Sequence, residues 1–153
     1  PIMPVLKYVA DTYAERGENF DQVWLLMACA PLIDATDLKA AAQLFEQKAS
    51  RFPVIAVAEY PVPIEWAFNR ASDGRLTPVQ LGMFAVRSQD LEKKYFDAGV
   101  FSVLPILRVL DSESAGSDSD FIGYTIPKTK AIDIDEEADW ELAEAMYRIR
   151  ERE

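Results

Sequence analysis

The chain has 153 residues, 50% of them hydrophobic, with 16 basic and 26 acidic side chains and a formal net charge of −10. That size supports one domain with its own core and no need of disulfides or a structural metal, and the scattered basic residues disfavour a sequence-independent grip on nucleic-acid phosphates. No histidine is present and the only cysteine is Cys29, which excludes Ser-His-Asp and Cys-His nucleophiles, His-ligated zinc and all-Cys zinc.

In chain order, Ile2, Val5, Leu6, Val9 and Tyr13 recur at helical spacing ahead of "ERGE". The spacing predicts an amphipathic helix over about residues 3–16, stopped at Gly17. "DQVWLLMACA" is a continuous apolar run of strand length, as expected of a central strand covered on both faces in a parallel sheet. "PLIDATDLKAAAQLFEQKAS" supplies a turn, Asp34 or Thr36 as N-cap, and Leu38, Ala41, Ala42 and Phe45 as a buried stripe. "FPVIAVAEY" is the next strand, and the alternation predicts an α/β domain over residues 1–153.

The middle changes character. "PVPIEWAFNRASDGRLTPVQ" is rich in proline and has an Asp73-Gly74 turn signal between two short runs, which predicts a projecting hairpin or arm over residues 60–80. "RSQDLEKKYFDAG" reads as a polar loop or short helix that ends on Gly99 and feeds a buried strand in "VFSVLPILRVL". Residues 111–120, small and acidic, read as a surface loop. "FIGYTIPKTKAIDID" is expected to hold two short strands. A closing helix follows over residues 136–150, with Trp140, Ala143 and Tyr147 on one stripe and Leu142, Met146 and Ile149 on a neighbouring one.

No apolar run approaches the roughly 20 residues of a bilayer span, and the N-terminal residues lack a signal-peptide layout, so no membrane partner is expected. A lone thiol in an apolar run suits a reducing, cytoplasmic compartment. The chain opens on Pro1 rather than Met and goes straight into a helical pattern, as a piece of a longer protein would.

Without histidine, chemistry must rest on carboxylates, Arg, Lys or a borrowed cation. In "AIDIDEEADW" a strand would put Asp133 and Asp135 on one face and Ile132 and Ile134 on the other. Two carboxylates that close repel unless a cation joins them, and oxygen-only ligation suits Mg²⁺. The same residues also read as the start of a helix, with Asp135 as N-cap and Glu136 and Glu137 complementing the helix dipole. In "RSQDL", Arg87 offers a two-pronged contact to a carboxylate or phosphate and Gln89 a donor and an acceptor for sugar hydroxyls. Against that stands a surface loop in which the Arg and Asp simply pair with each other. The small residues of "ACAPL" fit either a ligand approaching the end of a strand or an ordinary turn.

Taken in order and spacing, "ACAPLIDATDL", "EYPVPIEWAF", "RSQDLEKKYFDAG" and "AIDIDEEADW" resemble the C-terminal two-thirds of the acylneuraminate cytidylyltransferases. The Pro-x-Pro-Ile and "RSQDL" segments are most similar to the pseudaminic acid cytidylyltransferase branch. The resemblance implies a three-layer α/β/α, Rossmann-like nucleotide-sugar transferase sheet. It also implies a reaction of CTP with an acidic nine-carbon sugar, of pseudaminic or sialic acid type, to give the CMP-sugar and pyrophosphate. By the same resemblance Asp133 and Asp135 hold Mg²⁺ together with CTP, while Arg87, Gln89 and the strand-end residues Ala28, Cys29, Ala30 and Pro31 form the sugar-acid pocket. Ser102 stands in that pocket where the family usually has Tyr, and Glu65 is a smaller departure. The arm at residues 60–80 is expected to join a homodimer. The family's Gly-rich, basic N-terminal nucleotide-binding part is missing, so the chain by itself is expected to lack turnover. The alternative is a non-catalytic binding or interaction domain that kept the fold and lost the nucleotide site; another sugar-nucleotide transferase is a third reading.

Overall fold

The computed structural model describes residues 1–111 and 119–150; the expected acidic loop at 111–120 lies almost wholly outside the described residues. Helix α1 (Ile2–Glu15) ends where Gly17, at φ +80°, donates its N–H to Ala14 O at 2.9 Å. Strand β1 (Gln22–Leu26) leads into helix α2 (Ala35–Gln47), whose start is fixed by a reciprocal box. Asp34 accepts from the Thr36 and Asp37 backbones, and Asp37 accepts in return from Asp34 N at 3.1 Å, which satisfies N–H groups that a helix end leaves orphaned. Strand β2 (Val54–Glu59) comes next, followed by a small antiparallel hairpin of β3 (Phe68–Arg70) and β4 (Leu76–Pro78) around Gly74. Strand β5 (Tyr95–Pro105) runs into a short helix α3 (Ile106–Leu110), and strand β6 (Ile122–Thr125) and helix α4 (Glu137–Arg150) close the chain.

The main sheet has the order β1-β5-β2-β6. Strand β5 is antiparallel to both β1 and β2, while β2 and β6 are parallel, so the sheet is mixed rather than parallel. Nor is β1 central; it is an edge strand, and its apolar run is explained by cover on both faces. Trp24 packs with Phe45 of α2 and with Phe101, whereas Val23 and Leu25 pack with Met3 and Leu6 of α1 and Val109 of α3. Helices cover opposite faces of one strand, so alternation gives no polar side and the sequence reads as it would for a strand deep in the sheet.

Two further expectations are corrected. Strand β5 starts at Tyr95, ahead of the Asp-Ala-Gly turn signal, because Gly99 makes a bulge inside the strand instead of ending an element. The apolar "ILRVL" beyond it is helix α3, set off by Pro105. Residues 131–135 form an irregular segment rather than a second strand. Of the two stripes expected on α4, only Ala143 (3% exposed) and Met146 face the core, against Leu32 and Ile132; Trp140, Leu142, Tyr147 and Ile149 are exposed.

An ionic cluster ties α4 and the β6–α4 connection to the start of α2. Lys130 Nζ donates to Asp34 at 2.8 Å and to the buried Asp37 at 2.6 Å. Arg150 reaches Asp34 and donates to Leu32 O at 2.6 Å, and Tyr124 Oη donates to Asp37 at 3.4 Å. Lys130 holds the Asp34 carboxyl well below the usual range. Burial alone would lower the Lys130 ammonium, but the two carboxylates outweigh it and its pKa is raised.

Lys130→Met leaves Asp37 buried without its cation and should cost about 3 kcal/mol, read by urea unfolding at neutral pH. A depressed Asp34 pKa stabilises the fold above the ordinary value of about 4 and ceases to as the pH falls through the folded-state value. The acid loss of stability below about pH 4 should therefore be shallower in the Lys130→Met variant than in the parent chain.

Candidate functional site

Three segments meet at the end of β1. Met27 N continues the ladder onto Val100 O of β5 at 3.0 Å, and the chain then turns through residues 28–31, with Ala30 buried in the core. The irregular segment after β6 lies alongside, since Ile134 N donates to Cys29 O at 3.0 Å and Ile132 is buried against Leu32 and Ala143. Between these anchors Asp133 is turned toward β5. Its Oδ2 would lie 2.5 Å from a Cβ built on Gly99, a residue with φ +64°, so the carboxylate fills the space that any other side chain there would need. The Gly99 N–H is held by Asp97 Oδ1 at 3.0 Å.

The other oxygen, Asp133 Oδ1, is buried and has no hydrogen-bond partner. A carboxylate oxygen taken out of water without a donor is costly, and that cost is relieved by a cation or a donor brought in by a ligand. The Cys29 thiol lies beside it: hydrogen bonding of the thiol to the Asp133 carboxylate first, then partial burial and the charges of Asp133 and Asp135, push the thiol pKa up. Cys29 thus lies near Asp133 and Asp135, brought there by two stitched loops; the strand alternation expected to pair the two carboxylates is not what the fold uses. Asp135 is exposed, and the N-cap role expected of it is not what the fold uses. Asp139 accepts from the backbones of both Asp135 and Glu136, at 3.2 and 3.0 Å.

Among the described residues no three His, Cys, Asp or Glu side chains come together in a way that could hold a metal ion unaided. Oxygen-seeking Mg²⁺ keeps waters and commonly takes phosphate oxygens in addition to one or two carboxylates, so the Asp133 and Asp135 pair fits that ion only as a partial ligand set. A cleft of about 460 Å³ on the α1 side, lined by Asp97, Gly99 and Ser102 together with apolar side chains such as Met3, Leu6 and Leu25, meets the seat of Asp133 only at Gly99. This is where the structure puts Ser102.

The remaining expected pocket residues lie elsewhere. Arg87 uses both prongs on Asp90, at 2.8 and 3.2 Å, in an exposed pair, as the surface-loop reading anticipated. Gln89 lines a different cavity of about 310 Å³, with Tyr60, Pro61, Pro63, Glu59 and Lys94. Ala28 and Pro31 line a shallow apolar groove of about 220 Å³ with Trp140, Ala143 and Tyr147 of α4. Glu65, near the base of the hairpin, is 8% exposed and has an unpartnered Oε2. The residues missed from the sequence are Asp97 and Gly99. The signal was present in "FDAG", where an Asp two residues before a Gly marks an Asx turn, but it reads as the end of an element rather than as a seat for a residue more than thirty positions away.

No protein-family model matches the chain. A pseudaminic acid cytidylyltransferase of Campylobacter jejuni subsp. jejuni serotype O:2 is 29% identical over 151 residues, 95% of this chain and 62% of the relative. A second one, from serotype O:23/36 of the same subspecies, is 32% identical over 140 residues, 88% of this chain and 57% of the relative. The chain is thus similar over nearly all of its length to two pseudaminic acid cytidylyltransferases, and it spans about six-tenths of their length.

The contact between Asp133 and Cys29 is open to a chemical test. A raised thiol pKa lowers the thiolate fraction, so iodoacetamide should modify Cys29 several-fold more slowly at pH 8 than it does a model thiol. Asp133→Asn should recover most of that rate.

Proposed function

We propose that the protein carrying this chain is a CTP-dependent cytidylyltransferase that activates an acidic nonulose sugar of pseudaminic type as its CMP derivative, with release of pyrophosphate. The observation that carries this reading is Asp133, whose buried Oδ1 has no hydrogen-bond partner, in a chain similar over most of its length to two pseudaminic acid cytidylyltransferases. The sugar's anomeric oxygen bonds to the α-phosphorus as pyrophosphate leaves, and negative charge accumulates around the transferring group. Asp133, with Asp135, would hold a Mg²⁺ ion, which when bound supplies neutralisation of that charge. The chain's own residues do the rest. Gly99 leaves room for the carboxylate, Ser102 and Asp97 offer polar groups in a largely apolar cleft that Gly99 also lines, and Gln89 offers both a donor and an acceptor beside the Pro-rich segment.

The Gly-rich basic segment that the family uses to hold the triphosphate is not among these 153 residues. Such a reaction depends on positioning that group, so this chain alone does not turn over. The three-layer arrangement is supported by α1 and α3 covering one face of β1 and α2 the other. Among the described residues no helix is long and apolar enough to cross a membrane. The alternative, a binding domain without chemistry, draws on Arg87 being engaged by Asp90 rather than free for a ligand.

The hairpin region carries exposed apolar side chains at Val62, Phe68, Leu76 and Val79, and residues 60–80 join two copies in a homodimer. Leu76→Asp combined with Val79→Asp should convert a dimer to a monomer in sedimentation equilibrium without lowering the melting temperature; an unchanged mass sinks this assignment.

The activity is tested in the longer protein with CTP, pseudaminic acid and Mg²⁺, following pyrophosphate release. Asp133→Asn should reduce turnover by about 10³-fold, the range found when one charge-stabilising group is removed, while leaving the fold intact. Release that ignores the choice of nucleoside triphosphate, or full activity of Asp133→Asn at limiting Mg²⁺, overturns the reading.

A further inference from the structure

We infer that Asp97 and Gly99 are positioning residues that build the seat of Asp133 and so set the affinity of its carboxylate for a divalent cation. The inference rests on the reading of Asp133 as a metal ligand given above.

The seat begins as a defect in the sheet. Between Ile55 and Val57, β2 advances two positions, while β5 advances five, from Ser102 to Asp97. The surplus residues bulge out of the ladder, and bulges serve to re-aim backbone and side chains beside sites. Within this one, Ala98, Val100 and Phe101 are buried, at 3%, 0% and 3% exposure, so the bulge is anchored in the core on either side of Gly99. Its turn is closed by the side chain of Asp97, which accepts the Gly99 N–H at 3.0 Å. The backbone at Gly99 takes φ +64°, and no Cβ stands between it and Asp133.

Asp133 has little freedom to avoid that surface. The residue before it is buried against Leu32 and Ala143, and the residue after it is hydrogen-bonded through its N–H to Cys29 O at 3.0 Å. With the backbone fixed on both sides, the carboxylate rests on the Gly99 position. A Cβ there would lie 2.5 Å from Oδ2 and 3.1 Å from Cγ, so the carboxylate would have to rotate or withdraw. The buried oxygen without a partner, Oδ1, would move with it. Geometry at a metal ligand is enforced by its supporting shell, whose loss typically costs 10- to 100-fold in affinity. The exposed Asp97 has a role that depends on an acceptor oxygen rather than on charge, because its observed contact is with a backbone N–H.

The experiment measures Mn²⁺ affinity of the full chain by electron paramagnetic resonance of free Mn²⁺, with thermal unfolding in the absence of metal as a fold check. Gly99→Ala is expected to bind at least tenfold more weakly. Asp97→Ala is expected to do the same, and it keeps the test open if Gly99→Ala does not fold. Asp97→Asn, whose amide oxygen still accepts the Gly99 N–H, should stay within about twofold of the parent chain. A role confined to stability would shift the melting temperature and leave affinity alone. If Asp133→Asn loses Mn²⁺ while folded Gly99→Ala and Asp97→Ala retain the parent affinity, the positioning role is overturned and the ligand reading stands. If Asp133→Asn binds as tightly as the parent chain, the ligand reading itself fails. Weak binding by Asp97→Asn equal to that of Asp97→Ala would overturn the turn-closing role in favour of a charge effect.

Discussion

At residue 99 the backbone takes φ +64° and the volume of a side chain is given over to the carboxylate of another residue, Asp133. The rest of the candidate site depends on that exchange of space. Strand β5 pairs with both β1 and β2, so a bulge in it lies where the β1 loop and the segment after β6 both come to rest. A regular strand would present a Cβ at that point and leave no room for the acid. The same glycine therefore links sheet irregularity, which is backbone geometry, to the placement of a partly buried carboxylate, which is chemistry.

A partly buried carboxylate with an unpartnered oxygen needs its surroundings held still, and the ionic cluster of Asp34, Asp37, Lys130 and Arg150 does this from the other side. Lys130 lies three residues before Asp133, and its two carboxylate partners begin α2, the helix that follows the Cys29 loop. Arg150 at the end of α4 contacts the same Asp34 and Leu32 O. The loops on either side of the site are thus clamped by charges that are themselves partly shielded from water. Paired charges of this kind fix geometry more reliably than they add stability, and geometry is what a ligand residue requires.

The loop at Arg87 has a different physical character. Arg87 and Asp90 satisfy each other in the open, and Gln89 faces a polar cavity bounded by prolines. Such a loop stores a ready contact for an anion, because an exposed ion pair is worth little and is given up cheaply for a better partner. The Asp133 cluster and the Arg87 loop are separate features of one chain, each with its own cavity. Within the proposed function, the acidic cluster serves the phosphate chemistry and the Arg87 loop the sugar acid.

Local chemistry made much of this legible in advance. The Gly17 stop, the Asp34 cap, the stripe of α2 and the Asp73-Gly74 hairpin are decided by groups a few residues apart, and the sequence alone determined them. The isoleucines beside Asp133 also pack inward as their apolar character implied, whereas Asp133 is partly buried and Asp135 exposed. Sheet order was not legible, because β1 is apolar on both faces through helix cover and reads like a central strand. The strand character expected of residues 131–135 failed for a related reason: alternation of Ile and Asp arises equally in a loop pinned by two buried side chains. Which oxygen of Asp133 would lack a partner, and that Gly99 would be its seat, depended on contacts between residues 34 positions apart. Only tertiary structure decides such contacts, since no local preference of either residue encodes the space left by the other.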